Sequence, residues 1–515
     1  MQVTNQGDEM RSKVVMYLER SGRGALLLAC AVGFLSLSGC GGSSNDNVHL
    51  GSGANNSLLK GQYAFSFSGS TSAQTFVTAA GSFTADGNGN ITTAVEDVTF
   101  AGSGSGSGTK NASFTGTYAV GADNRGNALL KGVPGCATWQ LTITSSSHGL
   151  MTCFSTAHDP VVTASGSFDL QDPSTFSTSK LQGKYVFNFS GLGVNGLAAS
   201  AGQWTMNGAG NISSGEFDLN DGGGVTVDSP LSGSYSIKSS STGRGMATLS
   251  GFYTAPINFV FYIVNANQIK FVETDLQPAI SGEVLRQAAG PFTAATLHGG
   301  YAAILGGSDS GGFPIGAGAV FTANGSGTLS GTMDQNDDGF IANCSFPSTA
   351  YVFGSGGRFS ATLGSGCPTA FQVAMYPAAN GTLQMINVDG NSVVSGSANA
   401  QIGGPFGAGM SNGNYALNFT GTNLSTGSEE DITGAVTADG AGALSGALDI
   451  NNAGSLFQGA ALASSSYTTG SDGRGSFIFN SNAGSFNMQS YQVSPNTVLF
   501  LDIDQGRVMT GVMQK

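Results

Sequence analysis

Charge is what this chain lacks most. Among its 515 residues stand only 18 Lys or Arg and 31 Asp or Glu, a formal net charge of −13. Without a basic stripe nothing can neutralise a phosphate backbone, so nucleic acid is excluded as a partner. Histidine is nearly as scarce: His49, His148, His158 and His298 fall at unrelated places. A repeated zinc or general-base site built on histidine is thereby excluded, and no CxxC pair offers a thiolate alternative. The one long apolar run, Gly24 to Leu37, is shorter than the ~20 residues a bilayer-spanning helix needs. What the chain has in plenty is glycine (81) and phenylalanine (32), with Val, Ile, Leu, Phe and Tyr recurring at period two. Such alternation signals half-buried strands, and the aromatic residues supply a core that a disordered Gly/Ser chain would lack.

One motif recurs four times. Leu59-Lys60-Gly61-Gln62-Tyr63-Ala64-Phe65 returns as Leu181-Gln182-Gly183-Lys184-Tyr185-Val186-Phe187, then more loosely from Leu297 and from Ser411. The anchoring tyrosines Tyr63, Tyr185, Tyr301 and Tyr415 lie 122, 116 and 114 residues apart. Solenoid units repeat every ~20–50 residues, so a period this long denotes whole domains. Junctions at Gln171-Asp172-Pro173, Gly290-Pro291-Phe292 and Gly404-Pro405-Phe406 separate them, because proline ends strand pairing. The β repeats read as 58–172, 180–288, 296–402 and 410–515.

Each repeat holds about eight short strands joined by tight turns such as Asn207-Gly208, with no room for a helix. The expected fold class is all-β: four tandem antiparallel meanders, each closed as an eight-stranded up-and-down barrel. Closure is favoured because the opening and terminal strands of a repeat would otherwise be two exposed edges. β-Sandwiches are one alternative. An eight-bladed propeller is another, since a second tyrosine, at Tyr118, Tyr235, Tyr351 and Tyr467, divides each repeat in half.

Residues 1–39 read as a signal peptide, in which Arg11, Lys13, Arg20 and Arg23 precede the apolar run. The run ends in Leu37-Ser38-Gly39-Cys40, which resembles the lipobox of bacterial lipoproteins. That resemblance implies that Cys40 is acylated, as with palmitate, becomes the first residue of the mature chain and holds it on a membrane. Gly41 in place of Asp implies the outer membrane by the same likeness. Residues 40–57 are rich in Gly, Ser and Asn and read as a flexible linker. From residue 58 onward the chain resembles the uncharacterised tandem-repeat surface lipoproteins of bacteria, with their L-x-G-x-Y-x-F openings and A-D-G-x-G hairpins. This likeness implies location and architecture and carries no activity. Export also suits the cysteines. Cys136 with Cys153 and Cys344 with Cys367 each fall inside one repeat at strand-to-strand separation, as local disulfides do in an oxidising compartment.

Candidate chemistry is sparse. Asp86-Gly87-Asn88-Gly89-Asn90 has the look of half a calcium loop, yet the aligned Asn207, Asn324 and Asp439 stretches keep the glycines and lose the ligands, as a hairpin turn would. A second set keeps its oxygens: Asp218 and Asn220, Asp334 and Asn336, Asp449 and Asn451, with Asp97 at the fourth place. These are weak calcium candidates, read by default as solvated Asx turns. Glu273/Asp275, Asn387/Asp389 and Asp502/Asp504 read as a solvated strand face. Arg125, Arg244, Arg358 and Arg474 follow the second tyrosine by seven to nine residues. In so arginine-poor a chain they read as structural, bonding turn carbonyls or stacking on a strand tyrosine. The G-x-S-x-G match at Gly409 to Gly413 overlies a strand opening and reads as a decoy.

No cofactor motif is present. The function expected is that of a non-catalytic, lipid-anchored envelope or surface protein serving adhesion, envelope structure or weak multivalent binding. Its partners would be the membrane, through the lipid, and a surface glycan or another envelope protein. The alternative is a carbohydrate-binding or carbohydrate-active protein with Trp139 and Trp204 as sugar platforms.

Overall fold

A computed structural model of the chain describes residues 51–102, 105–155, 161–275, 277–354 and 356–515. Cys40, the expected signal peptide, His49 and His158 lie outside them. Every repeat is a closed antiparallel barrel of eight strands running in chain order around the wall. The first strands, Lys60–Thr71, Gln182–Leu192, His298–Asp309 and Asn412–Asn423, pair on one side with the second strand of their barrel. On the other side they pair with its last strand, Val162–Leu170, Ala279–Arg286, Ser392–Ala400 or Arg507–Gln514. The first and last strands of a repeat are thus not left as edges, which is why the barrel prevails over the sandwich and the propeller. In the last barrel the fourth strand is broken into Ser455–Ala461 and Ser465–Thr469, and the wall still closes through its second and third strands.

Inward side chains build an apolar core inside each barrel. Phe65 and Trp139 lie 4.9 Å apart in the first. Trp204 stacks on Phe187 at 4.6 Å in the second. Both tryptophans have no exposed surface, so neither can serve as a sugar platform. Their indoles alternate inward on the strand, whereas a binding platform would need them on the outer face. The second tyrosine of each repeat fastens the chain where it enters the barrel. Tyr118, Tyr235, Tyr351 and Tyr467 donate their hydroxyls to the carbonyls of Leu59, Leu181, Leu297 and Ser411 at 2.6, 2.7, 3.1 and 2.6 Å.

The A-D-G-x-G segments are hairpin turns. Asp86 Oδ1 accepts from the amides of Asn88 and Asn90, and Asn207 Oδ1 accepts from Ala209 and Asn211 in the same manner. Gly87 and Gly89 hold φ of +82° and +105°, a region that side chains disfavour. Cys136–Cys153 and Cys344–Cys367 are disulfides with Cα separations of 5.9 and 5.4 Å. The end of the stretch expected as linker is tied down, since Asn56 Oδ1 accepts from the Val120 amide at 2.7 Å and Asn55 Nδ2 donates to Asn124 at 2.8 Å.

The four barrels form a closed ring. The outer face of the first and second strands of each barrel packs on the sixth to eighth strands of the next, and the last barrel meets the first in the same way. A head-to-tail contact repeated by a fixed rotation gives such a ring when the rotation closes. The meander places the turns after odd-numbered strands at one end of the ring. The inter-barrel junctions and the remaining turns lie at the other.

Candidate functional site: the joints and the axial cavity

Each joint is held by an acid on the third strand of one barrel and an arginine at the head of the fifth strand of the next. Arg244 reaches Asp97 through Nε at 2.8 Å and Nη2 at 2.6 Å. Arg358 meets Asp218 at 2.8 and 2.9 Å, and Arg474 meets Asp334 at 2.8 and 2.6 Å. A fully buried tyrosine on the sixth strand donates its hydroxyl to the same carboxylate: Tyr262 to Asp97 at 2.5 Å, Tyr376 to Asp218 at 2.6 Å, Tyr491 to Asp334 at 2.8 Å. Burial and the adjoining carboxylate push all three phenols well above their ordinary range, so they remain donors. Two-pronged guanidinium–carboxylate contacts fix geometry as well as energy.

The ring closes with Arg125 on Asp449, through Nη1 alone at 3.1 and 3.3 Å, while Arg125 Nε turns to Asp123 at 2.8 Å. A second hydrogen bond recurs at all four joints. Thr99 Oγ1 donates to the Glu273 carbonyl at 3.0 Å, and the side-chain amides of Asn220, Asn336 and Asn451 donate to the carbonyls of Asn387, Asp502 and Cys153 at 3.2, 2.8 and 2.8 Å.

These contacts correct the calcium reading of Asp218, Asn220, Asp334, Asn336, Asp449 and Asn451. The carboxylates carry arginine. The asparagines present N–H to their neighbours, and their Oδ1 atoms accept from Gly223, Gly339 and Gly454. Among the described residues no group of three or more His, Cys, Asp or Glu is arranged to hold a metal. The solvated-face reading fails too: Glu273, Asn387 and Asp502 are fully buried in joints. The four arginines are structural, as expected, but they grip the adjacent barrel and neither turn carbonyls nor tyrosine faces. Ser411 of the G-x-S-x-G match is buried, its Oγ bonded to Gln492 Oε1 at 3.0 Å.

A buried charge network joins three barrels. Lys270 Nζ of the second barrel meets Asp169 of the first at 2.9 Å, Glu283 at 3.0 Å and Ser167 Oγ at 3.0 Å. His148 links Asp169, at 2.7 Å, to Gln514 of the fourth barrel, at 3.0 Å. Burial lowers the lysine pKa, but Asp169 and Glu283 outweigh it and hold Lys270 above its usual range. A lysine kept cationic cannot take the Ser167 proton, so the Ser–Lys pair is no activated nucleophile.

At the centre of the ring lies a cavity of about 1180 Å³. Ser68, Ser190, Gly306 and Thr420, each five residues beyond its repeat's first tyrosine, all line it, so the pseudo-fourfold axis passes through it. Periodicity could not reveal this site, because its walls are outer barrel faces brought together only by the joints.

No protein family and no curated protein matches the chain. Among solved structures, the crystal structure of a protein of unknown function from the DUF3598 family, from Nostoc punctiforme PCC 73102, aligns at 11% identity over 44% of this chain and 99% of that one. Its TM-score of 0.15 carries no argument about this molecule.

Proposed function

We propose that this protein is a non-catalytic, lipid-anchored component of the bacterial cell envelope that works as one rigid ring, in adhesion or envelope structure. The observation that carries this reading is the use made of the recurring charged residues: all four Asp–Arg pairs bind barrel to barrel. A chain of independently tethered modules would leave such groups for ligands and gain through avidity. This one turns four modules into a single platform, and the Leu37-Ser38-Gly39-Cys40 segment supports an anchor at its N-terminal side. The test is fractionation of cells producing the full chain or Cys40→Ser, each with a surface-protease challenge. The wild-type chain is expected in outer-membrane fractions and the variant in the soluble fraction. Recovery of Cys40→Ser in membranes after a high-salt wash would sink the anchor.

A further inference from the structure

We propose that the axial cavity binds an uncharged amphiphile, an alkyl or acyl chain carrying a hydroxyl-bearing head. The cavity differs from end to end. Near the turns between first and second strands it is apolar, with Phe76, Leu197, Pro314, Ile315 and Val508. At the junction end it is lined by the amides of Asn267, Gln268, Asn380, Gln384, Asn399 and Gln514. Water alone would suit the second region and not the first, since a hydrated site needs polar partners throughout. A sugar chain would find amides but, apart from Phe76, no aromatic face in the wall.

Gln384 points to a ligand independently. It is 7% exposed and faces the cavity, and its amide, which makes no side-chain hydrogen bond with the described residues, is open to that space. At the corresponding strand position stand Lys270, held by Asp169 and Glu283, and the apolar Leu150 and Leu499. Only Gln384 therefore offers a free donor and a free acceptor there. The wall offers an ionic head little charge: of the lining residues Glu283 and Arg286 alone are charged, the first bound to Lys270 and the second donating to the Gln182 carbonyl and lying over the Tyr185 ring at 5.1 Å. The volume exceeds the ~300–1,000 Å³ of ordinary small-ligand pockets and leaves room for a chain together with its head.

The experiment is equilibrium dialysis of the full chain, kept in amphipol free of detergent, against 1-monolaurin, with laurate and glycerol as comparison probes. Saturable binding of one monolaurin per chain is expected, with laurate at least about tenfold weaker and glycerol unbound. Gly306→Trp fills the cavity from its wall. A Cβ at that position meets only Thr510, at 3.6 and 3.7 Å, so the substitution is expected to abolish binding without moving the thermal midpoint. Gln384→Leu is expected to weaken monolaurin about tenfold and leave laurate unchanged. Absence of saturable binding to the wild-type chain overturns the proposal, as does undiminished binding to a folded Gly306→Trp. Should that variant fail to fold, an unchanged monolaurin affinity in Gln384→Leu overturns it alone.

Discussion

Three joints of the ring are alike and the fourth is not. Where consecutive barrels meet, apolar side chains surround the Asp–Arg–Tyr contact. Ala64, Ala80, Val260 and Val272 do so at the first joint, Val186, Ala201, Ala374 and Ile386 at the second, Ala302, Val320, Val493 and Leu501 at the third. Where the fourth barrel meets the first, Thr142 stands in place of the tyrosine and Thr433 in place of Ala80, Ala201 or Gly318, their hydroxyls 3.1 Å apart. Asn418 bonds there to Thr152 and Ser165, at 3.2 and 3.3 Å, and Asp431 is buried with no partner beyond the neighbouring Thr420 and Ser165 hydroxyls. Burial also raises the Asp449 carboxyl despite Arg125, which reaches it through one nitrogen only. The contrast has a simple origin. The first three joints set the angle of the ring and present its two ends to each other at high effective concentration, so the closing contact needs little affinity of its own.

The largest test of that contrast is to remove one arginine at a time. Arg358→Ala leaves Asp218, which has no exposed surface, without its cation and with only the Tyr376 hydroxyl and the Asp228 amide as donors, and is expected to cost about 3–5 kcal/mol in chemical unfolding. Arg125→Ala should cost only about 1–2 kcal/mol, because Arg125 reaches Asp449 through one nitrogen at 3.1 and 3.3 Å, where Arg358 grips Asp218 through two at 2.8 and 2.9 Å. Equal losses would mean that the joints are equivalent after all.

Next in size is a pH effect centred on the closing joint. Burial, with a further push from Glu430, lifts the Asp431 carboxyl from 3.8 to about 7, and Glu273 and Asp502 are lifted by burial to about 10 and about 8. A carboxyl whose folded pKa lies above its unfolded one favours the folded state while protonated. Its contribution is whole below about pH 4 and is lost as pH rises through the folded value. Thermal midpoints should therefore fall from pH 5 to pH 8, and Asp431→Asn should remove the part between about pH 4 and pH 7, on the order of 4 kcal/mol at most. An unchanged pH slope in that variant would show that Asp431 titrates normally.

The joint can also be rebuilt. Thr142→Tyr alone should destabilise by about 1–3 kcal/mol, since Thr433 fills the space the ring would need. With Thr433→Gly added, the pair Tyr491 and Gly318 of the third joint is recreated, and the double variant is expected to recover that loss and gain about 1 kcal/mol. The smallest effect is that of salt. At about 1 M, where the screening length is ~3 Å, the partly exposed Arg125 and Arg474 contacts should weaken by less than about 1 kcal/mol and the more buried Arg244 and Arg358 pairs by less still. Differential protection of Arg125 and Arg358 from guanidinium-modifying reagents would report it.

Much of the barrel was legible in the chain. Period-two alternation from Tyr63 to Phe67, glycine turns such as Gly87–Gly89 and the fourfold return of one opening strand suffice for eight-stranded closure. Inward and outward faces were not, because a period of two is the same for both, and Trp139 and Trp204 were read as outward when they fill the cores. The recurrence of arginine and of the Asp–x–Asn sites was visible as two separate patterns. Their pairing was not, since Arg358 and Asp218 are 140 residues apart and Arg125 and Asp449 are 324 apart. The axial cavity was hidden for the same reason: no repeat contains it, and it exists only once four outer surfaces face one another.

A joint in which every barrel offers acid forward and arginine backward cannot tell its own chain from a neighbour. Were the Arg125–Asp449 contact to open, the freed fourth barrel of one molecule could receive the first barrel of another through the same residues, and the freed ends would propagate. The molecule thus carries the parts of a polymer folded back on itself. Whether it stays a ring is then a matter of concentration as well as of sequence.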